Sequence, residues 1–287
     1  MVPAKLTLIA FPIFLIATLA EAALYRTRTG QPYPWRDSLA SLAVGLGSRV
    51  VHAMIATTVL VALLGITYAH RLFTLPLDTI WGWIVAFLAV ELAYYGWHAA
   101  SHKVRIFWAS HSVHHSSDSL TLATAQRLAW TGPMLSGLVF FLAPLVFLGI
   151  APEAMAILLT ANLFYQFFLH TELVRSLGPL EFVLNTPSHH RVHHASNPEY
   201  LDRNFGGVLI VFDRLFGTFA AERAPCRYGV LPTIGTRNPV EIAVHEYRAV
   251  AADLRRATSA GERLHYLLDV PGWSPDGSRQ TMQQHNP

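Results

Sequence analysis

The chain has 287 residues, 52% of them apolar and only 14% charged, with a formal net charge of +3 and one cysteine. Soluble domains carry roughly a quarter charged residues, so this composition excludes a disordered chain and an ordinary soluble enzyme, and it points to an integral membrane protein with part of its mass in water. The charge is too small for nucleic-acid binding, and Cys226 alone forms neither an intrachain disulfide nor a thiolate site, so any metal must be held by nitrogen or oxygen.

Five apolar stretches run at about 6–24, 50–69, 80–97, 133–150 and 153–170. Crossing a bilayer takes roughly 20 helical residues, with about 17 as the lower limit, and backbone groups in lipid must bond internally, so helices are predicted. The first stretch, with Lys5 and Ala20-Glu21-Ala22, also resembles a cleavable signal peptide. Its length, Glu21 at the cleavage position and the helices that follow favour a membrane helix. The segment 25–49 carries Arg26, Arg28, Arg36 and Arg49, whereas 70–79 carries only Arg71 and 98–132 carries Lys103, Arg105 and Arg127. Placing 25–49, 98–132 and the arginine-rich chain after 170 in the cytoplasm satisfies the positive-inside rule, Lys5 excepted. The last two stretches meet at Gly149-Ile150-Ala151-Pro152, with Pro152 placed to open a helix. This predicts a helical hairpin whose arms are near the lower limit for spanning. Beyond 195, Phe205 to Phe219 is apolar and glycine-broken, and it either packs under the histidine region or lies at the interface. Pro239 to Thr258 has helical spacing, with Asn238 as N-cap. The tail from Pro271 is turn-rich, then polar and loose.

Histidine is the outlier: 15 residues, ten of them between 98 and 194. His98 and His102 form an H-x3-H; His111, His114 and His115 form an H-x2-HH; His190, His193 and His194 repeat that pattern, preceded by His189; His170 stands alone after the fifth apolar stretch. On a helix, residues three and four apart share a face, so an H-x2-HH places three imidazoles within about 100° of arc, able to converge on a metal. Neutral imidazole is the commonest protein metal ligand. One ion accepts four to six ligands, and the surplus of nitrogens implies two metals. His189, four before His193, suits a ligand or a donor behind one. Isolated His52, His70, His245, His265 and His285 read as ordinary polar groups. Varied spacers exclude a polyhistidine tract, and unpaired imidazoles at a membrane boundary are costly. No H-E-x-x-H occurs, and no cysteines are available for a structural zinc module. Ligating rings usually donate their other N–H to a carboxylate or carbonyl; Asp118, Glu172, Asp202 and Asn204 are candidates by proximity. Trp97, Trp108 and Tyr165 either line a lipid pocket or anchor at the interface.

In these boxes the chain resembles the fatty acid hydroxylase/sterol desaturase superfamily of integral membrane di-iron proteins. The similarity extends through Asn185-Thr186-Pro187-Ser188-His189-His190-Arg191-Val192-His193-His194, Asp202-Arg203-Asn204-Phe205-Gly206-Gly207 and Asp213-Arg214-Leu215-Phe216-Gly217-Thr218-Phe219, which look most like the alkylglycerol monooxygenase branch and its bacterial relatives, and Pro271-Gly272-Trp273-Ser274-Pro275-Asp276-Gly277 is similar to the C-terminal signature of those bacterial relatives. The resemblance covers about 80–280. It implies an all-α membrane fold of four to five apolar helices, with a cytosolic helical cap holding a dimetal site. The implied organisation is membrane helices over 1–79, a catalytic domain over 80–222 and cytosolic helices and tail over 223–287. It also implies two iron ions on the ten histidines named, replaceable by zinc in a purified sample, with no catalytic residue separate from the ligands. O2 would be co-substrate, a reduced pterin, cytochrome b5 or ferredoxin the external electron donor, and a sterol, fatty acyl, carotenoid or ether lipid the substrate for hydroxylation, desaturation or ether cleavage. The expected location is multi-pass in a bacterial inner membrane, with the site facing the cytoplasm. One departure stands out: some fatty acid hydroxylases have a histidine four residues before the position of His170, and here it is Gln166, which ligates weakly, hydrogen-bonds a ligand or leaves one metal site more open. Two rivals remain. A metal transporter or store predicts ionisable or polar ligands deep in the spans, whereas the only acid there is Glu91 and the histidines sit at the ends. A non-catalytic lipid-binding relative predicts a broken box, and none of the main boxes is broken.

Overall fold

Helix is the only regular element among the described residues of this computed structural model, which are 2–52, 57–131, 136–279 and 281. In chain order the helices are α1 (Val2–Thr29), α2 (Trp35–Val51), α3 (Thr57–Ala69), α4 (Ile80–Lys103), α5 (Arg105–His115), α6 (Leu138–Leu148), α7 (Pro152–Phe167), α8 (Pro187–His194), α9 (Val211–Phe216), α10 (Pro239–Arg256) and α11 (Ala260–Leu268).

An apolar layer is built around α4, which opens where the Thr79 hydroxyl accepts from the Gly82 amide at 3.2 Å. Ala86 and Val90 of α4 pack with Leu64 of α3, Leu142 and Val146 of α6 and Ala154 and Met155 of α7. Among the described residues, α4 alone is long and apolar enough to cross a membrane. The expected hairpin has its turn in place: Gly149 adopts φ +122, where a Cβ would sit 2.4 Å from the Phe73 carbonyl oxygen, and Pro152 is the first residue of α7. Its arms are shorter than the apolar stretches that encode them. With 11 and 16 residues they reach about 16 and 24 Å, against a hydrocarbon core of about 30 Å. Positions 53–56 of the second stretch, 133–135 of the fourth, and 280 and 282–287 of the tail lie outside the described residues.

A second layer carries the cap. The arginine-bearing segment 25–49, read as a connection, is helical from Trp35, because Ala40 and Val44 are spaced to meet Val113 of α5 and Ile242 of α10. As predicted, the Asn238 side chain caps α10, accepting from the Val240 amide at 3.0 Å. Buried Arg105 of α5 pairs with Glu246 at 3.1 Å and Asp253 at 2.7 Å, and Arg279 joins Asp253 at 2.6 Å, so the C-terminal turn is stitched to the cap.

Candidate metal centre

The end of α4, the whole of α5 and α8, and the turn after α7 bring nine imidazoles together in two groups. The first holds His98, His102, His111, His115 and His193; the second holds His114, His170, His190 and His194. Within each group the candidate ligand nitrogens all lie within 4.8 Å of one another. Each H-x2-HH box is divided. His111 and His115 join the first group while His114, about 100° around the helix from His115, joins the second. On α8 the division is reversed: His190 and His194 serve the second group and His193 the first. The His115 and His194 rings stack at 4.4 Å along the seam.

The chemistry of these nitrogens fits a bound cation. His170 Nδ1 lies 2.8 Å from the Gln166 carbonyl oxygen and His114 Nδ1 lies 3.3 Å from that of Arg127. A carbonyl only accepts, so each Nδ1 carries the proton and each Nε2 is a bare lone pair. Those two Nε2 atoms stand 3.1 Å apart, and a shared Lewis acid reconciles them. His190 and His194 extend the array at 3.0 and 3.1 Å. In the first group, His111 Nε2 lies 3.0 Å from that of His98 and 3.1 Å from that of His115, and the Nε2 atoms of His102 and His193 are buried without a hydrogen-bond partner. For metal–nitrogen bonds of about 2.1 Å, neighbouring ligands at right angles are about 3.0 Å apart, and tetrahedral ones about 3.4 Å. The observed spacings match the former.

Burial, and then the charge a neighbouring imidazolium would carry, holds His111, His115, His170, His190, His193 and His194 well below the ordinary histidine range. Burial also lowers His114, to about 4. The rings therefore fold neutral. The unfolded chain takes up protons on them near pH 6.5, so stability is complete above that value and declines as pH falls towards the folded pKa, by about 1.4 kcal/mol per pH unit for each such ring. Metal-stripped protein is expected to lose thermal stability progressively on acidification from about pH 6.5; a melting temperature flat from about pH 8 to about pH 5 contradicts neutral burial.

The rings are aimed mainly by backbone carbonyls, which sequence reasoning missed because they carry no residue-type signal. His98 Nδ1 meets the Phe205 carbonyl oxygen at 2.7 Å and His193 Nδ1 that of Arg203 at 3.0 Å. To present both, the loop holds Asp202 and Asn204 at φ +58 and +57, a conformation costing about 1–3 kcal/mol for such residues. It is over-determined: the Asn204 amide donates to the His189 and Ala220 carbonyls, and buried Asp213 accepts from the Phe205 and Gly206 amides at 2.7 Å. At Gly206 a Cβ would lie 2.2 Å from the Leu209 carbonyl oxygen. The signal for Asp213 is its motif: it is the one acid in the largely apolar run from Phe205 to Phe219.

Of the candidates behind the ligands, Asp202 approaches His102 Nδ1 at 3.5 Å, and Asn204 braces the loop. Glu172 accepts from the Tyr228 hydroxyl, and Asp118 lies beside Gly229; among the described residues neither is hydrogen-bonded to an imidazole. His189 stands outside both groups, its ring edge-on to Phe219 at 5.3 Å. The Gln166 side chain accepts from Tyr94 at 3.1 Å and donates to Asn162, so it is engaged away from the rings while its carbonyl orients His170. Glu91, the acid deep in α4, accepts from Asn162 and from the Val208 and Leu209 amides at 2.8 and 3.0 Å. It is a structural clamp on the glycine loop. Trp97 and Trp108 edge the first group, Trp97 donating to the Ser136 carbonyl, and Tyr165 donates to the Asn185 carbonyl. A narrow cavity of about 20 Å³, bounded by Trp108, Asp202 and Leu231, reaches His102, His115, His193 and His194. It admits about one water-sized molecule.

A further support comes from α2. Arg127, 1% exposed, donates to Asp37 at 2.9 Å, and Ser119 donates to the same carboxylate at 2.8 Å. This buried pair holds the carbonyl that orients His114.

Residues 83–218 match the fatty acid hydroxylase family. The chain is similar to alkylglycerol monooxygenase of Homo sapiens, with 38% identity over 97% of this chain and 62% of the relative, and to that of Danio rerio, with 39% identity over 94% and 60%. A more distant likeness, 25% identity over 47% of this chain and 41% of the relative, is to the ornithine lipid hydroxylase OlsE of Rhizobium tropici. The chain thus spans about 60% of the length of these two alkylglycerol monooxygenases. No solved structure matches it.

Proposed function

We propose, because residues 83–218 match the fatty acid hydroxylase family and the chain is similar to alkylglycerol monooxygenases, that it is a membrane-bound oxygenase whose two histidine groups hold two iron ions and which uses O2 to hydroxylate or desaturate a lipid. The observation that carries this reading is the facing pair of bare Nε2 lone pairs on His114 and His170, repeated in kind around both groups. The right-angle nitrogen spacing and the oxygenases among the relatives favour iron over zinc. Zinc has no redox chemistry, so a zinc-loaded sample would be folded and inert. Bound iron supplies the redox chemistry with O2 that no side chain in this chain possesses.

The protein's part is ligation, orientation and exclusion. His98, His102, His111, His115 and His193 would hold one ion, and His114, His170, His190 and His194 the other. The second has one nitrogen fewer because Gln166 is turned away, and so has more room for an exogenous ligand. The carbonyls of Phe205, Arg203, Arg127 and Gln166 keep the donor tautomer and the ring orientation. Burial of the rings keeps bulk water off the centre. The relatives' names support a lipid substrate with an alkyl chain. The loop charges support a cytoplasmic site, and the electrons would come from a reduced pterin, cytochrome b5 or ferredoxin.

The test is protein made under iron-replete conditions, reconstituted in bilayers with total lipid extract and supplied with reductant. About two irons per chain are expected from the ligand count, together with an O2-dependent lipid product that has gained one oxygen or lost two hydrogens. Iron bound at neither group, or a fully iron-loaded protein that oxidises no lipid with any of the three donors, overturns the reading.

A further inference from the structure

We propose that Leu177, Leu180, Phe182, Val183, Leu215 and Phe216 form a ridge that is immersed in the interfacial layer of the bilayer, a lip lying in the membrane surface beside the metal centre. The ridge comes from two segments locked to each other. The Ile210 amide donates to the Val183 carbonyl at 2.9 Å, and Arg214 Nη2 donates to the Glu181 carbonyl at 3.1 Å. All six apolar side chains are exposed, Leu215 at 71% and Phe182 at 69%. Scattered apolar residues are normal on a surface, whereas a contiguous patch marks an interaction site.

The outward direction is dictated from inside. Asp213 is buried and committed to the Phe205 and Gly206 amides, so helical spacing leaves Leu215, two positions on, on the opposite side of α9, and Phe216 next to it is exposed as well.

Continuity with α4 identifies the occupant as lipid. The exposed residues Trp81, Val85, Leu88 and Leu92 recur every three or four positions and make a stripe along that helix. The next residue in the same progression is Tyr95, and its ring stacks on Phe216 at 5.3 Å with 23° between the planes. The ridge thus prolongs the lipid-facing stripe of the one described helix able to span.

The polar surroundings fix the depth. Behind the ridge lies a cavity of about 300 Å³ lined by Glu181, Glu222, Arg214 and His189, whose buried Nδ1 has no hydrogen-bond partner. Such groups are too costly to place in hydrocarbon, so only the ridge enters, at headgroup level. Arg214 lies 3.8 Å over the Phe219 ring and 5.6 Å from that of Phe182, a cation flanked by apolar surface with access to lipid phosphates, as interfacial segments require. Arg175, also exposed on the same stretch, adds to the attraction for an anionic leaflet. In this placement a lipid meets the protein next to α8, whose histidines serve both groups.

The inference does not rest on the oxidative function, and its test needs none. Wild-type chain is reconstituted in vesicles of phosphatidylcholine and phosphatidylglycerol that carry an acyl-chain diazirine, photolysed and mapped by peptide mass. Adducts are expected on peptides containing 177–183 and 211–216 as well as on α4. In parallel, a nitroxide placed on Leu215→Cys in a Cys226→Ser background should collide several-fold more often with O2 than with a nickel chelate, and one at Arg255→Cys should show the reverse. Adducts confined to α4, or a Leu215 label that favours the nickel chelate, would overturn the proposal and assign the ridge to a protein partner in water.

Discussion

His193→Ala and His114→Ala are each expected to reduce lipid oxidation to background while leaving the chain in the membrane fraction. The two residues are the crossed members of their boxes. His193 leaves the α8 pair to serve the first group, and His114 leaves the α5 pair to serve the second. Each substitution therefore depletes a different group. Loss of a residue that only orients a ligand typically costs 10–100-fold in metal affinity or activity, and loss of a ligand itself should exceed about 100-fold. The measurements are turnover, metal per chain and membrane fractionation. Full activity in either variant would remove that histidine from the ligand set, and loss of the chain from the membrane would show that the variant reports on folding.

Asp37→Ala is expected to be the most damaging substitution outside the histidines. It strands the Arg127 guanidinium, 1% exposed, without its carboxylate partner. Breaking a buried pair from one side costs about 3–5 kcal/mol, and the displaced Arg127 carbonyl releases His114 Nδ1. Lower unfolding stability and weaker metal retention by the second group should appear together. The Asp37→Ala/Arg127→Met double variant, which leaves no buried charge at this position, should recover much of the stability. A double variant as unstable as the sum of its singles would mean that the pair is not coupled. The readouts are unfolding midpoints and metal content.

This support reaches the site from outside the region that matches the family. Asp37 lies on α2, and Glu21 of α1 accepts from the Thr171 hydroxyl at 2.6 Å and the Leu122 amide at 2.8 Å. The helices preceding residue 83 are therefore part of the framework around His114 and His170. The loop with φ +58 at Asp202 and +57 at Asn204 is the comparable device on the other side, where local strain is offset by the buried Asp213 and Asn204 hydrogen bonds.

The sequence by itself determined what repeats locally. The three boxes, the turn at Gly149–Pro152, the α10 cap at Asn238 and the helical character of the chain depend on residue type and on spacings of a few positions, and the structure keeps them. Helical spacing put the three rings of each H-x2-HH on one broad face, but the division of that face between two groups depends on α5 and α8 lying against each other, as the His115–His194 stack shows. Only the tertiary structure decided the partners behind the rings. Carbonyls of Arg203, Phe205 and Arg127 are chemically the same as any others until the chain folds, and the acids that brace the site act across 101 positions from Glu21 to Leu122, 90 from Asp37 to Arg127 and 117 from Glu91 to Val208. Proximity in sequence favoured Glu172 and Asp118, but a hydrogen bond depends on proximity in space, and that is set by the packing of the helices.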